Sequence, residues 1–259
     1  MLKKVLCIGD IVGRPGRKII EEQLPEFIIQ KGIDFVIANG ENASSGSGIT
    51  PKLLSGILKS GVDVVTTGDH IYKNKDVFGC IKDPKLLRPL NYVEGASGNG
   101  AGVYTMSDGI KIAVVNLSGR VFMDPCECPF SAIDNYLKGL EEGINIIFVD
   151  IHAEATSEKI AMGWHLDGRV SAVFGTHTHI QTADERILPG KTAYITDLGM
   201  TGPYESVLGR KKENVLHKFT TNMPSRFDVA SGDVRLCGAV IEIDNSNGEA
   251  RSIERVCLT

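Results

Sequence analysis

The chain lacks any apolar run approaching the roughly 20 residues that a helix needs to cross a bilayer. Its beginning, Met1-Leu2-Lys3-Lys4-Val5-Leu6-Cys7-Ile8-Gly9-Asp10, reaches a charge after too few apolar residues for a signal-peptide core, and neither end carries a lipidation signal. A cytoplasmic protein with no membrane partner is expected. A basic excess is missing too: Lys+Arg number 28 against Asp+Glu 32, a net charge of -4, so no field draws in a long nucleic acid. The six cysteines are scattered, without the spacing of a disulfide framework, and Cys126-Glu127-Cys128, with no second pair, reads as a loop. The glycine/serine stretch Ser44-Ser45-Gly46-Ser47-Gly48 lacks the Gly-Lys-Ser of a phosphate-binding P-loop, which removes the support for ATP binding.

What is present is an ordinary globular composition, 42% hydrophobic and 23% charged, in 259 residues with neither linker nor internal repeat. One domain over residues 1–259 is the economical expectation. Apolar strand-like runs alternate with helical patterns, which predicts an α/β fold with two packed mixed sheets flanked by helices. Strands are expected at 5–10, 35–39, 62–67, 144–151, 170–175 and 193–197, and hairpins at 103–117 and 236–256. Helices are expected at 18–31, interrupted at Pro25, from Thr50-Pro51 to Gly61, at 131–142 and around 158–164.

Residues able to bind a metal stand repeatedly just past the C-terminal end of an apolar strand: Asp10, Glu41-Asn42, Asp69-His70, His152 and His177-Thr178-His179. In α/β sheets the crevice beyond the strands' carboxyl ends is where sites form. A mixed set of carboxylates, a carboxamide and imidazoles suits iron, manganese or zinc better than calcium or magnesium alone, and two ions better than one. Read as strand continuation, His177 and His179 would face the same side. His165 and His217 have no strand-end setting and read as ordinary histidines. Arg14 and Arg17, in a glycine- and proline-containing loop after Asp10, are candidates to touch a phosphate or simply to open a solvated helix.

Gly9-Asp10, Asn39-Gly40-Glu41-Asn42, Gly68-Asp69-His70, Asp150-Ile151-His152 and Gly175-Thr176-His177-Thr178-His179 resemble, in order, the motif series of the calcineurin-like metallophosphoesterases. Gly9 to Arg17, Ala38 to Asn42 and Gly199-Met200-Thr201-Gly202-Pro203 look more specifically like the YmdB-type phosphodiesterases, over nearly the whole chain. The resemblance implies one metal on Asp10, Glu41, Asn42 and His179, and a second on Glu41, Asp69, His152 and His177, with iron as the metal. It further implies hydrolysis of small cyclic nucleotides, 2',3'-cyclic first and 3',5'-cyclic second, by a hydroxide held between the ions, with His70 as general acid. A phosphomonoesterase on the same site, or a regulatory binding protein that retains the metal site, are the alternatives. The natural substrate and any homo-oligomer stay open. Two positions depart from the superfamily: Val12 stands where the first motif has a histidine, with Asn42 able to supply the missing oxygen, and Asp69 stands where the third has asparagine.

Overall fold

The computed structural model describes residues 1–259 as two mixed β-sheets packed face to face, with helices on both outer faces. In the first sheet β1 (Leu2–Ile8) lies beside the parallel strands β3 (Phe35–Asn39), β4 (Val64–Thr66) and β5 (Leu86–Leu87). Its other neighbour is antiparallel, β13 (Val234–Asp244), which forms the C-terminal hairpin with β14 (Ala250–Leu258). A short β2 (Asp10–Ile11) runs parallel to β12 (Met200–Pro203), which joins the start of β13. The second sheet has the order β10 (Arg186–Ile187), β11 (Ala193–Ile195), β9 (Ala172–Thr176), β8 (Ile146–His152), β7 (Lys111–Ser118) and β6 (Ala101–Thr105), parallel except at its two edge strands.

Alternation along the strands sorts their side chains into three apolar layers. Val5, Cys7, Phe35 and Ile37 of the first sheet meet Ile112, Val114, Ile146, Phe148 and Phe174 of the second between the sheets. Their sequence neighbours Leu6, Ile8, Val36 and Ala38 face the other way, onto Ile20, Leu24 and Phe27 of α1 (Gly13–Lys31) and Leu54 and Ile57 of α2 (Pro51–Lys59). On the far side Val115, Ile147 and Val149 pack with Ile133 of α3 (Pro129–Gly139) and Met162 and Leu166 of α4 (Thr156–Leu166). A fifth helix, α5 (Lys212–Thr221), buries only Val215.

The expected interruption at Pro25 is absent: α1 begins at Gly13, five residues before the predicted start, and runs through Pro25 to Lys31. Pro15 is tolerated because amides of a first turn have no intrahelical partner, and at Pro25 the burial of Ile20, Leu24 and Phe27 outweighs one lost hydrogen bond. Thr50 caps α2 as the sequence indicates, its hydroxyl accepting from the Leu53 amide. No helix is long and apolar enough to cross a membrane.

Phe148 is fully buried at the middle of the inter-sheet layer. Phe148→Ala is expected to lower the unfolding free energy by about 3–5 kcal/mol in urea titrations, a cavity cost that an edge position would not show; a loss under about 1 kcal/mol would mean that the layer collapses around the gap.

Candidate metal centre

Strands β1, β3, β4, β8 and β9 deliver their C-terminal ends to one edge of the sandwich, and the polar residues that follow them meet there. Asp10 is held there by the β2–β12 pairing and by its own amide, which donates to the Gly199 carbonyl at 3.2 Å. A Cβ on Gly9 would lie 1.9 Å from that carbonyl, so only glycine allows the approach. Glu41 and Asn42 occupy the turn after β3, and Asp69 and His70 the turn after β4. A Cβ on Gly68 would sit 2.1 Å from the His152 ring, so the glycine before Asp69 is what lets loop and imidazole close up. His152 ends β8.

Four of these side chains, Glu41, Asp69, His152 and His177, bring ligand atoms within 4.8 Å of one another. His152 Nε2 lies 3.2 Å from Glu41 Oε1, 3.3 Å from Asp69 Oδ1 and 3.0 Å from His177 Nδ1. Beside them, His179 Nε2 is 3.7 Å from Asp10 Oδ1 and 3.1 Å from Asn42 Nδ2. Asp10 Oδ2 accepts from the His177 amide at 3.1 Å, while its Oδ1, fully buried, has no hydrogen-bond partner. An unpaired buried carboxylate oxygen is costly unless a cation completes it. The donor set therefore fits metal ions: carboxylates and imidazoles converging, with one oxygen still unsatisfied.

Groups behind the cluster fix its orientation. Thr176 Oγ1 donates to Asp150 Oδ1 at 2.7 Å, so its oxygen is left to accept from His152 Nδ1, 2.9 Å away. In a neutral, ligating ring that assignment puts the proton on Nδ1 and turns the Nε2 lone pair toward Glu41 and Asp69, the arrangement by which a hydrogen-bond partner sets a ligating histidine's tautomer, whereas without a cation the same acids favour a proton on Nε2 as well. Asp150 also accepts from Thr66 Oγ1 at 2.6 Å and Asn39 Nδ2 at 3.3 Å. The other anchor is an ion pair with both partners fully buried, Lys159 Nζ to Asp197 Oδ2 at 2.6 Å. The same Asp197 oxygen accepts from the Thr178 amide at 3.1 Å and hydroxyl at 2.6 Å, clamping the residue between His177 and His179.

The electrostatics follow from the crowding of acids and imidazoles. Burial pushes His152 down, but Glu41, Asp69 and Asp10 overcome it and hold its pKa well above the ordinary value. Burial pushes Asp69 and Glu41 up, but the neighbouring imidazoles, above all His152, outweigh it and leave both depressed. Burial raises Asp10, and it raises Asp150 to about 6. His177 is lowered to about 4, by burial and then by the positive charge of His152.

The motif residues Asp10, Glu41, Asn42, Asp69, His70, His152, His177 and His179 are thus all brought to one place. One local expectation is corrected. His177 and His179 do not continue a strand with rings on one side: β9 ends at Thr176, and both residues take positive φ, 96° and 63°. The Asp10 and Asp197 hydrogen bonds impose this turn, which sends His177 toward His152 and His179 toward Asp10. Arg17 is directed to the carbonyl of Ala43, bracing the loop that carries Glu41 and Asn42, and Arg14 is exposed on the first turn of α1. Val12 is buried and packs toward Gly202 and Gly209. His165 pairs with Asp134, and His217 is exposed on α5. Asn39, Asp150, Thr176, Lys159 and Asp197 were not among the sequence candidates. Two signals pointed to them: Asp150 lies two residues before His152 on a strand, hence on the same face, and Lys159 stands three residues before Met162 on the apolar side of α4.

A two-sheet sandwich flanked by helices, with an acid and imidazole cluster at the strand ends, is the architecture of a metallophosphoesterase. Residues 6–256 match the model of the YmdB-like protein family, and the chain belongs to that family. A 2',3'-cyclic-nucleotide 2'-phosphodiesterase of Bacillus subtilis is 47% identical over 256 residues, 98% of this chain and 97% of the relative. A crystal structure of a Mycoplasma pneumoniae protein described as a novel phosphatase superposes with a TM-score of 0.93 at 32% identity, covering 100% of this chain and 94% of the other. That of a hypothetical protein from Thermus thermophilus gives 0.91 at 38% identity, covering 98% of each.

Lys159→Met leaves Asp197 buried without its counter-charge and is expected to cost about 3–5 kcal/mol of stability. Lys18→Met, which removes an exposed pair with Glu22, is expected to cost under about 1 kcal/mol. Equal losses in urea unfolding would refute the clamp.

Proposed function

We propose that residues 1–259 form one cytoplasmic metallophosphoesterase domain that hydrolyses 2',3'-cyclic nucleotides with the help of two metal ions, iron in the first instance. The observation that carries this reading is the convergence of Glu41, Asp69, His152 and His177 beside the unpaired Asp10 Oδ1. The 47% identity to a cyclic-nucleotide phosphodiesterase supports the substrate class. One ion would be held by Asp10, Glu41, Asn42 and His179, the other by Glu41, Asp69, His152 and His177. When bound, such a pair supplies Lewis acidity to the phosphoryl group and to the attacking water.

The chain's own groups do the rest. Glu41 lies between the two sets, its Oε1 near His152 and its Oε2 accepting from the His70 amide at 3.1 Å, so one carboxylate ties the third-motif loop to the centre. Asn42 turns Nδ2 toward Glu41 and His179 and Oδ1 toward His70; a flip of the carboxamide would present its oxygen to a metal instead. The His70 side chain is 31% exposed at the mouth, its Nδ1 2.9 Å from the Asn42 carboxamide; with that carboxamide flipped, Nδ1 accepts from Asn42 Nδ2 and the ring proton stays on Nε2, 3.5 Å from Asp69 Oδ2, from where it can pass to the ribose oxygen as the P–O bond breaks. Asp69 adds a third carboxylate to Asp10 and Glu41, which should hold the ions more tightly than the asparagine usual in the superfamily.

Five measurements test the reading. Elemental analysis of protein purified without added metal should find about two ions per chain, and a panel of 2',3'- and 3',5'-cyclic nucleotides should show turnover of the 2',3' isomers first. Faster turnover of p-nitrophenyl phosphate than of bis(p-nitrophenyl) phosphate would favour a phosphomonoesterase, and no turnover of any ester a binding protein. Glu41→Gln should fold normally and fall below two ions per chain; unchanged occupancy contradicts a shared ligand. His70→Ala should keep its metal and lose roughly 10²- to 10⁴-fold on alkyl-type leaving groups, but much less on p-nitrophenolate, which leaves without a proton. Equal losses on both would remove His70 from the role of acid.

A further inference from the structure

A cavity of about 370 Å³ opens directly off the centre, and Asp69 forms part of its wall. The same Asp69 carboxylate lies 3.3 Å from His152 and 3.5 Å from His177, so whatever fills the cavity abuts the acid and imidazole cluster. A larger cavity of about 590 Å³ beside α2 touches none of these residues. The walls next to Asp69 are Tyr72, Tyr92, Val93 and Pro125, with Lys73 and Asp124 among the polar residues.

The two tyrosines are held from behind. The Tyr72 hydroxyl donates to the Ser97 carbonyl at 2.5 Å, and its ring stacks on Phe78 with centroids 5.9 Å apart at 10°. The Tyr92 hydroxyl donates to the Gly68 carbonyl at 3.2 Å, tying its ring to the loop that carries Asp69 and His70, and its ring centroid lies 6.1 Å from that of Tyr72. With both phenols committed to backbone, what the rings offer the cavity is an aromatic surface of fixed orientation. Such a surface suits a flat π system and has no use in binding phosphate.

We propose that this cavity is a base subsite, in which the nucleobase of the substrate packs against Tyr72 and Tyr92 while its cyclic phosphate lies at the centre beyond Asp69. The proposal rests on the hydrolytic reading above, and it adds what that reading leaves open: which residues receive the base and so favour a nucleotide over a base-free cyclic phosphate. Packing against a ring face is open to purines and pyrimidines alike, so the subsite selects for the presence of a base more than for its identity.

The test compares adenosine 2',3'-cyclic phosphate with the base-free 1-O-methylribose 2,3-cyclic phosphate. The wild-type enzyme should prefer the nucleotide in kcat/KM by roughly 5- to 100-fold. Tyr72→Ala should bring that ratio close to one, and Tyr72→Phe, which keeps the ring, should retain it. A ratio that Tyr72→Ala leaves at the wild-type value overturns the subsite. Binding of adenosine alone, measured by calorimetry on the metal-loaded protein, separates this from the function itself. If neither cyclic phosphate is turned over yet adenosine binding weakens in Tyr72→Ala, the subsite stands and the hydrolytic reading falls. If adenosine binds the two forms equally, the subsite falls.

Discussion

Four carboxylates, those of Asp10, Glu41, Asp150 and Asp197, are buried at one edge of this molecule, and the local structure is organised around making that tolerable. Each is answered differently. Asp197 has the ammonium of Lys159, Asp150 has two hydroxyls and a carboxamide, and Glu41 has His152 and the His70 amide. Asp10 has only half an answer, a backbone amide on one oxygen. A negative field concentrated this way in a low-dielectric setting favours cations strongly. The two carboxylates furnished with complete neutral or ionic partners lie behind the centre, and the ones that face it are those left to histidines.

The layered fold makes this arrangement affordable. Because the parallel strands of both sheets run toward the same edge, the apolar layers can be closed off completely, and the polar residues gather past the last pleat without interrupting them. The glycines at the strand ends matter for distance more than for flexibility: Gly9 and Gly68 allow a carbonyl and an imidazole to approach where a methyl group would collide. Hydrophobic burial thus supplies the stability, and the centre draws on it.

Much of this was legible in the chain itself, for reasons that can be named. Strands buried on both faces are nearly continuous in apolar residues, so 35–39 and 144–151 stand out, and the polar residue that ends each run marks the edge of the sheet. What escaped were conformations and pairings set by distant partners. Nothing near His177 says that its backbone turns left-handed; that is dictated by Asp10 and Asp197. Helix 13–31 passes Pro25 because packing prevails over local preference. Asp150 was within reach of simple alternation with His152, and Lys159 within reach of the question why a lysine sits on an apolar helix face. The motif series drew attention to the ligand types and away from the residues that orient them.

The β2–β12 pairing has a consequence for how the protein comes into being. The strand that seats Asp10 begins at Met200, 190 residues after it, and its partner amide belongs to His177, 167 residues later. Contacts of such separation are slow to form because a long loop must close before they contribute. During synthesis, therefore, Asp10 leaves the ribosome well before the His177 amide and the strand at Met200 that pair with it, and its seat is complete only once both have followed. The strand at Met200 thus completes the seat of the first carboxylate after every other motif residue of the centre has been made.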